Sequence, residues 1–288
     1  MPMRIISLAV LLAGFVFAQA PEQFPEAQAS TRSSDPAVRR GGAAALGDIR
    51  RPEAVAVLEG LLFDGDAAVR LTAADALGRQ GARGSAAKVA VLAASDPDAR
   101  VRQAATSALG FMGGEGAVKA LLRALNDPSA GVRFAAVRSL GSLRATAAAG
   151  PLTGLLRSPD PSMRRTVAAA LNQIGDKSSV PALKAALQDS DEGVRLEAAG
   201  ALARLGDPAG LAGAVAGLKS KDPSSRRRAA VAAALSGDSS VLPELDAAYA
   251  SEKDRATKAA IGEARTRLRE KLSVQTAPAS PGKDARRP

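Results

Sequence analysis

The sequence predicts an all-α fold, a solenoid of stacked antiparallel helix pairs with about seven repeats and a C-terminal capping helix. Three observations predict it. One segment recurs seven times in register, its apolar residues keep the helical period, and a second apolar set follows each copy. The copies are DPAVRRGGAAALG (35–47), DAAVRLTAADALG (66–78), DARVRQAATSALG (98–110), SAGVRFAAVRSLG (129–141), DPSMRRTVAAALN (160–172), DEGVRLEAAGALA (191–203) and DPSSRRRAAVAAA (222–234). Their arginines stand at 39, 70, 102, 133, 164, 195 and 226, in steps of 31 or 32 residues. Such a period marks repeat architectures, in which each unit buries its apolar faces only against its neighbours.

In chain order, residues 1–20 come first. MPMRIISLAVLLAGFVFAQA joins one early positive charge, Arg4, to an uncharged stretch from Ile5 to Ala18. That is the pattern of a secretory signal peptide. The stretch is shorter than the ~20 residues a permanent membrane helix needs, which disfavours the rival reading of an uncleaved inner-membrane anchor. Cleavage after Ala18 or after Ala20 fits the small-residue rule, and Pro21 counts against the second. The expected location is therefore the bacterial periplasm or the extracellular space. Residues 21–33 (PEQFPEAQASTRS) read as a disordered linker, 34–272 as the repeat array, and 273–288 as a disordered basic tail ending in Arg286 and Arg287.

Each copy reads as two helices. In the third, Val101, Ala105, Ala108, Leu109 and Met112 trace one helical face. An aspartate four residues before the arginine (Asp35, Asp66, Asp98, Asp160, Asp191, Asp222) sits where a helix N-cap belongs, and proline follows it at 36, 161 and 223. Glycine then ends the helix at 81, 113, 175, 206 and 237. The second apolar set, for example Val118, Leu121 and Leu125, marks the second helix. After the seventh copy, EKDRATKAAIGEARTRLREKL (252–272) is helical and heavily charged, which suits a cap facing water on one side. Copy seven is the weakest, with Ser225, Ala233 and Ser236 where larger apolar residues stand elsewhere; Leu235 and Tyr249 are placed to refill that space.

Composition narrows the function. The 288 residues include no cysteine, histidine or tryptophan and one tyrosine. Thiol and imidazole catalysis, disulfides and zinc sites of the usual kind have no residues to use. An aromatic fraction of 2% leaves few platforms for stacking bases. Thirty-nine Lys and Arg against 29 Asp and Glu give +10, most of it in the repeats. This basicity admits an acidic protein surface or an anionic envelope component as partner. The aspartate pairs 64/66, 96/98 and 189/191 lack the glycine-turned loop that calcium requires. No catalytic, cofactor-binding or metal-ligating residue emerges, and no cofactor is expected.

The pattern D-P-x-V-R-x-x-A-A-x-A-L-G, followed by an A-x-x-x-L type second helix, resembles the HEAT-like repeats of the phycobilin-lyase type over about residues 33–250. The resemblance implies a right-handed α-solenoid and, most often, protein–protein scaffolding. It also implies a ladder, with Arg39, Arg70, Arg102, Arg133, Arg164, Arg195 and Arg226 bonded to acids of neighbouring turns. Two acidic positions match: Asp64, Asp96, Asp127 and Asp189, six before an arginine, and Asp35, Asp66, Asp98, Asp160, Asp191 and Asp222, four before. Arg133, in mid-array, is expected to matter more to stability than Arg138, whose column varies. The resemblance assigns the second helices to the concave side, through which the protein is expected to bind a protein partner without catalysis. Arg165, Arg227, Arg228, Lys119, Arg123 and Lys184 are the candidate partner-binding residues. Two other functions are open: a bilin lyase or isomerase-like enzyme, and a binder of polyanion or nucleic acid. Export and the lack of catalytic residues oppose the first; export and scarce aromatics oppose the second, so nucleic acid is not the expected partner.

Overall fold

The computed structural model describes residues 20–276, with side chains for 23–272. The segment expected to be a signal peptide, up to residue 19, and the tail from 277 lie outside the described residues. Among the described residues sixteen α-helices and no strand are present, so the chain is all-α. No helix among them is long and apolar enough to cross a membrane. The helices fall into two compact units, which meet in sequence at Ala145–Thr146.

The first unit contains α1 (Ala20–Ser30), α2 (Pro36–Asp48), α3 (Pro52–Leu61), α4 (Ala67–Gln80), α5 (Ala86–Ser95), α6 (Ala99–Met112), α7 (Glu115–Ala124) and α8 (Ala130–Ser142). Helix α1 corrects the expectation of a disordered linker over 21–33. Ala27 is buried, and Gly42 of α2 comes so close that a Cβ there would lie 2.8 Å from the Ala27 carbonyl oxygen. The segment's composition is polar, but one small residue against one glycine suffices to seat it. The second unit contains α9 (Ala149–Leu155), α10 (Pro161–Ile174), α11 (Val180–Ala186), α12 (Glu192–Arg204), α13 (Pro208–Gly217), α14 (Pro223–Ser236), α15 (Leu242–Ser251) and α16 (Arg255–Thr276). Helix α16 runs four residues beyond 272, shortening the expected tail.

The arginine-bearing helices are α2, α4, α6 and α8 in the first unit and α10, α12 and α14 in the second. Their N-caps form as read: Asp35, Asp66, Asp98, Asp160, Asp191 and Asp222 accept hydrogen bonds from first-turn amides at 2.8–3.2 Å. Gly81, Gly113, Gly175, Gly206 and Gly237 have positive φ at the helix ends, between 64° and 77°. In the fourth copy the corresponding residue is Arg144, which takes φ 50° despite its side chain. Val101, Ala105, Leu109 and Met112 are fully buried, and so are Leu121 and Leu183 of the second helices.

Within each unit the arginine-bearing helices pack directly on one another in sequence order. Small residues permit this approach. A Cβ on Gly78 would lie 2.9 Å from both Cα and Cβ of Ala108, and one on Gly110 would lie 2.7 Å from Cβ of Ser139. Among the second helices only α5 and α7 pack extensively. Layers that are close on one side and spread on the other curve toward the close side. Inside each unit the arginine-bearing helices are thus the inner row, which corrects the assignment of the second helices to the concave side.

Candidate functional site

The column arginines start from one local geometry. Each sits in the first turn of its helix and points its guanidinium back over the preceding turn. In Arg70 the Nη1 donates to the carbonyls of Asp64 (2.8 Å) and Gly65 (3.2 Å), while Nε and Nη2 grip Asp96 of the next turn at 2.7 and 3.0 Å. Arg39–Asp64, Arg102–Asp127 and Arg164–Asp189 repeat this two-pronged pairing, with shorter contacts of 2.7–2.8 Å. Arg226 grips Glu252 in the same way at 2.6 and 2.8 Å. The carboxylates are nearly out of water, 2% exposed at Asp96 and 3% at Glu252. Parallel charge-assisted bonds of this kind are strong and geometrically demanding. The guanidiniums hold Asp64, Asp127 and Asp189 below the usual carboxylate range, and bring Glu252 down to about 2.

In the four aspartate pairs the partner is the acid six residues before the next arginine, and Glu252 stands six before Lys258 in the same register. Asp66, Asp98, Asp160, Asp191 and Asp222 cap helices instead and accept nothing from the column arginines. That corrects their assignment to the ladder: the N-cap carboxylate is turned onto its own helix amides. The six-before acid does two jobs. Asp64 Oδ1 also accepts the amide of Asp66 at 2.9 Å, and Asp96, Asp127 and Asp189 repeat that contact at 2.8–2.9 Å.

Two rungs are missing. Ser158 and Ser220 occupy the six-before positions that Arg133 and Arg195 would use. Each serine keeps the capping bond, from the amide of Asp160 at 3.3 Å and of Asp222 at 3.1 Å. Arg133 therefore bonds only the carbonyls of Asp127 and Pro128, and Arg195 only those of Asp189 and Ser190. Neither has a carboxylate partner among the described residues, which corrects the expectation that both tie layers together. Arg195 lines a cavity of about 400 Å³ with Glu192, Leu187, Leu196 and the small residues Ala212 and Gly213.

The candidate partner-binding residues divide. Arg165 and Arg228 come together on the inner row of the second unit around Glu197, a half-buried acid between them on α12. Burial raises the Glu197 carboxyl, and the two arginines oppose that shift. Arg165 reaches Asp191 at 3.3 Å over Gly193, where a Cβ would lie 2.5 Å from its Nε. The Nε atoms of Arg165 and Arg228 are buried without a hydrogen-bond partner among the described residues. Arg227, exposed, joins Arg228 and Glu197 along a cavity of about 260 Å³ floored by Gly200. The others do not join them. Lys119 pairs with Glu115 at 2.6 Å and Lys184 with Asp207 at 2.8 Å, while Arg123 borders a separate cleft between α5 and α7. Among the described residues no group of three or more acids is arranged to hold a metal ion.

Sequence reading missed Glu252 as a rung. The signal was there: Glu252, Asp254 and Lys258 repeat the spacing of the six-before acid, the N-cap and the arginine. Asp254 caps α16 through Thr257, and Lys258 turns onto the ring of Tyr249, 5.0 Å from its centroid, as does Arg265 at 4.5 Å. Tyr249 thus packs at the core's edge.

The sequence profile described as HEAT repeats matches residues 25–110, 86–162, 118–199, 151–235 and 185–266. Among solved structures, YibA of Escherichia coli is similar at 22% identity and TM-score 0.60, over 93% of this chain and 99% of that one. Kap95p, in a structure with RanGDP, is similar at 14% identity and TM-score 0.57, over 85% of this chain and 41% of that one. The CpcE–CpcF complex of phycocyanin lyase from Nostoc gives 24% identity and TM-score 0.49, over 84% of this chain and 93% of that one. No curated protein matches the chain in sequence.

Proposed function

The chain belongs to the HEAT-repeat family, and from that premise we propose that it is an exported, non-catalytic scaffold that binds an acidic segment of another protein. Binding is through the inner row of the second unit. One observation carries the reading: Arg165, Arg227 and Arg228 gather near Glu197, and although Arg165 also meets Asp191 at 3.3 Å and Arg228 meets Asp222 at 3.8 Å, the buried Nε atoms of Arg165 and Arg228 have no partner among the described residues. Unsatisfied buried donors are costly, so a site that retains them is poised to accept oxygen ligands. The arginines of the lining favour a carboxylate partner over a basic one. Export rests on the N-terminal pattern of one charge, an apolar stretch and small residues.

The test is a crosslinked pull-down from the native envelope at moderate salt, comparing the wild type with Arg227→Glu/Arg228→Glu. Arg226 is left intact because it holds the last rung. Specific proteins retained by the wild type and lost from the variant are expected. Retention of the same proteins by both sinks the proposed surface, and retention of none sinks the scaffold.

A further inference from the structure

We propose that Arg195 is a receptor for the aspartate or glutamate side chain of a partner protein, which completes in trans the rung that Ser220 leaves open. This rests on the protein-binding reading and adds a second, separate contact to it. Five sister arginines show what the edge accepts: in Arg39, Arg70, Arg102, Arg164 and Arg226, Nε and Nη2 grip one carboxylate. Arg195 is held in the same pose by the same kind of backbone carbonyls, at 2.7 and 3.0 Å. Its other edge is therefore preorganised without a ligand, and preorganised donors bind at lower entropic cost.

The surroundings fit a side chain on a peptide. Arg195 opens on the 400 Å³ cavity, whose far wall is Ala209, Ala212, Gly213 and Ala216 of α13. Those residues leave room for backbone and a small apolar neighbour. Glu192 of α12 is the acid in the lining, and its Oε2 lies 3.0 Å from the Ser225 hydroxyl, which Asp222 shares at 2.8 Å. Ser220 shows that the gap is not a local misfit. Its hydroxyl keeps the bond from the Asp222 amide that every six-before aspartate makes, but it lacks the charged carboxylate that pairs with the arginine. The turn is built to receive an aspartate, and the chain does not supply one.

The experiment follows the side-chain Nε–H signals of the full chain, titrated with the blocked peptide Ac-Ala-Asp-Ala-amide. The same titration uses the Asn peptide and inorganic phosphate as comparisons. The Asp peptide is expected to shift Arg195 saturably and to leave Arg164 and Arg226 unmoved. The Asn peptide should bind at least about tenfold more weakly, having lost the charge-assisted pair. Ser220→Asp, which closes the rung internally, should abolish the response while melting no lower than wild type. If that variant fails to fold, Arg195→Lys, followed in the variant and the wild type alike by the backbone amides of residues 195 and 196, keeps the charge, loses the two-pronged edge, and should weaken the peptide by a similar factor. Equal response to the Asn peptide, equal response to phosphate, or an unchanged titration in the folded variants each overturns the proposal. A silent Arg195 beside a specific pull-down fails this site alone; a responsive Arg195 beside an empty pull-down fails the scaffold reading alone.

Discussion

The two units are built from one repeat and joined differently. In the first, three consecutive rungs, Arg39–Asp64, Arg70–Asp96 and Arg102–Asp127, are closed. In the second, rungs alternate: Arg164–Asp189 closed, Arg195 open, Arg226–Glu252 closed. Glycine follows the same division. Gly47, Gly78 and Gly110 of the first unit face Ala76, Ala108 and Ser139 of the next arginine-bearing helix. The equivalent residues of the second unit are Asn172, Ala203 and Ala234, and its closest glycine contacts within a helix pair are on α13, where Gly210 abuts the backbone of α12 and Gly213 faces Ala199. Close approach between layers has become close approach within a pair. The first unit thus packs its arginine-bearing helices glycine to small residue and keeps its cleft between second helices α5 and α7, whereas the second unit has cavities beside Arg195 and Glu197 on its arginine-bearing helices.

The largest effect should come from acid. Asp64, Asp127, Asp189 and Glu252 have folded-state values below their unfolded ones, so their stabilisation is complete above the ordinary carboxylate range. It is lost as pH falls through the lowered values, toward about 2 at Glu252. Circular dichroism melts between pH 7 and pH 2 should show a steep loss below about 4.5; a flat profile would break the ladder assignment. Next is Arg70→Ala, which leaves Asp96 buried without its charge partner and should cost about 3 kcal/mol in denaturant unfolding. Arg195→Ala, which loses only backbone contacts, should cost no more than about 1 kcal/mol. Equal costs would erase the difference between the units. Gly78→Ala forces a Cβ to 2.9 Å from the Ala108 backbone and should cost about 2 kcal/mol. Gly200→Ala meets only ordinary 3.6 Å contacts and should gain about 0.5–1 kcal/mol, so thermal melts should move oppositely. Last, Arg144→Gly relieves a left-handed residue and should raise stability by about 1 kcal/mol.

The helices, caps and glycine stops were legible because each depends on residues within a few positions of one another. The ladder was legible only in part. Two acids, at four and six before the arginine, share one period, and spacing cannot say which turns inward; Asp66 folds onto its own amides and Asp64 onto Arg39. The missing rungs were visible as Ser158 and Ser220 once the partner position was fixed. Helix α1 was hidden by its polar composition, because Ala27 is held by a contact with distant Gly42. The gathering of Arg165 and Arg228 around Glu197 was hidden too, because it joins three helices whose columns differ by one residue.

The two tasks of the six-before residue, capping and pairing, are separable, and serine keeps the first while dropping the second. In a one-dimensional array, stability is a sum of unit terms and nearest-neighbour terms. Exchanging aspartate for serine deletes a neighbour term and spares the unit. Within the second unit cooperativity is then divided after the sixth repeat, and opening by hydrogen exchange should proceed in blocks bounded there. A single-residue exchange thereby sets the length over which the array melts as one, independently of how well each helix pair folds.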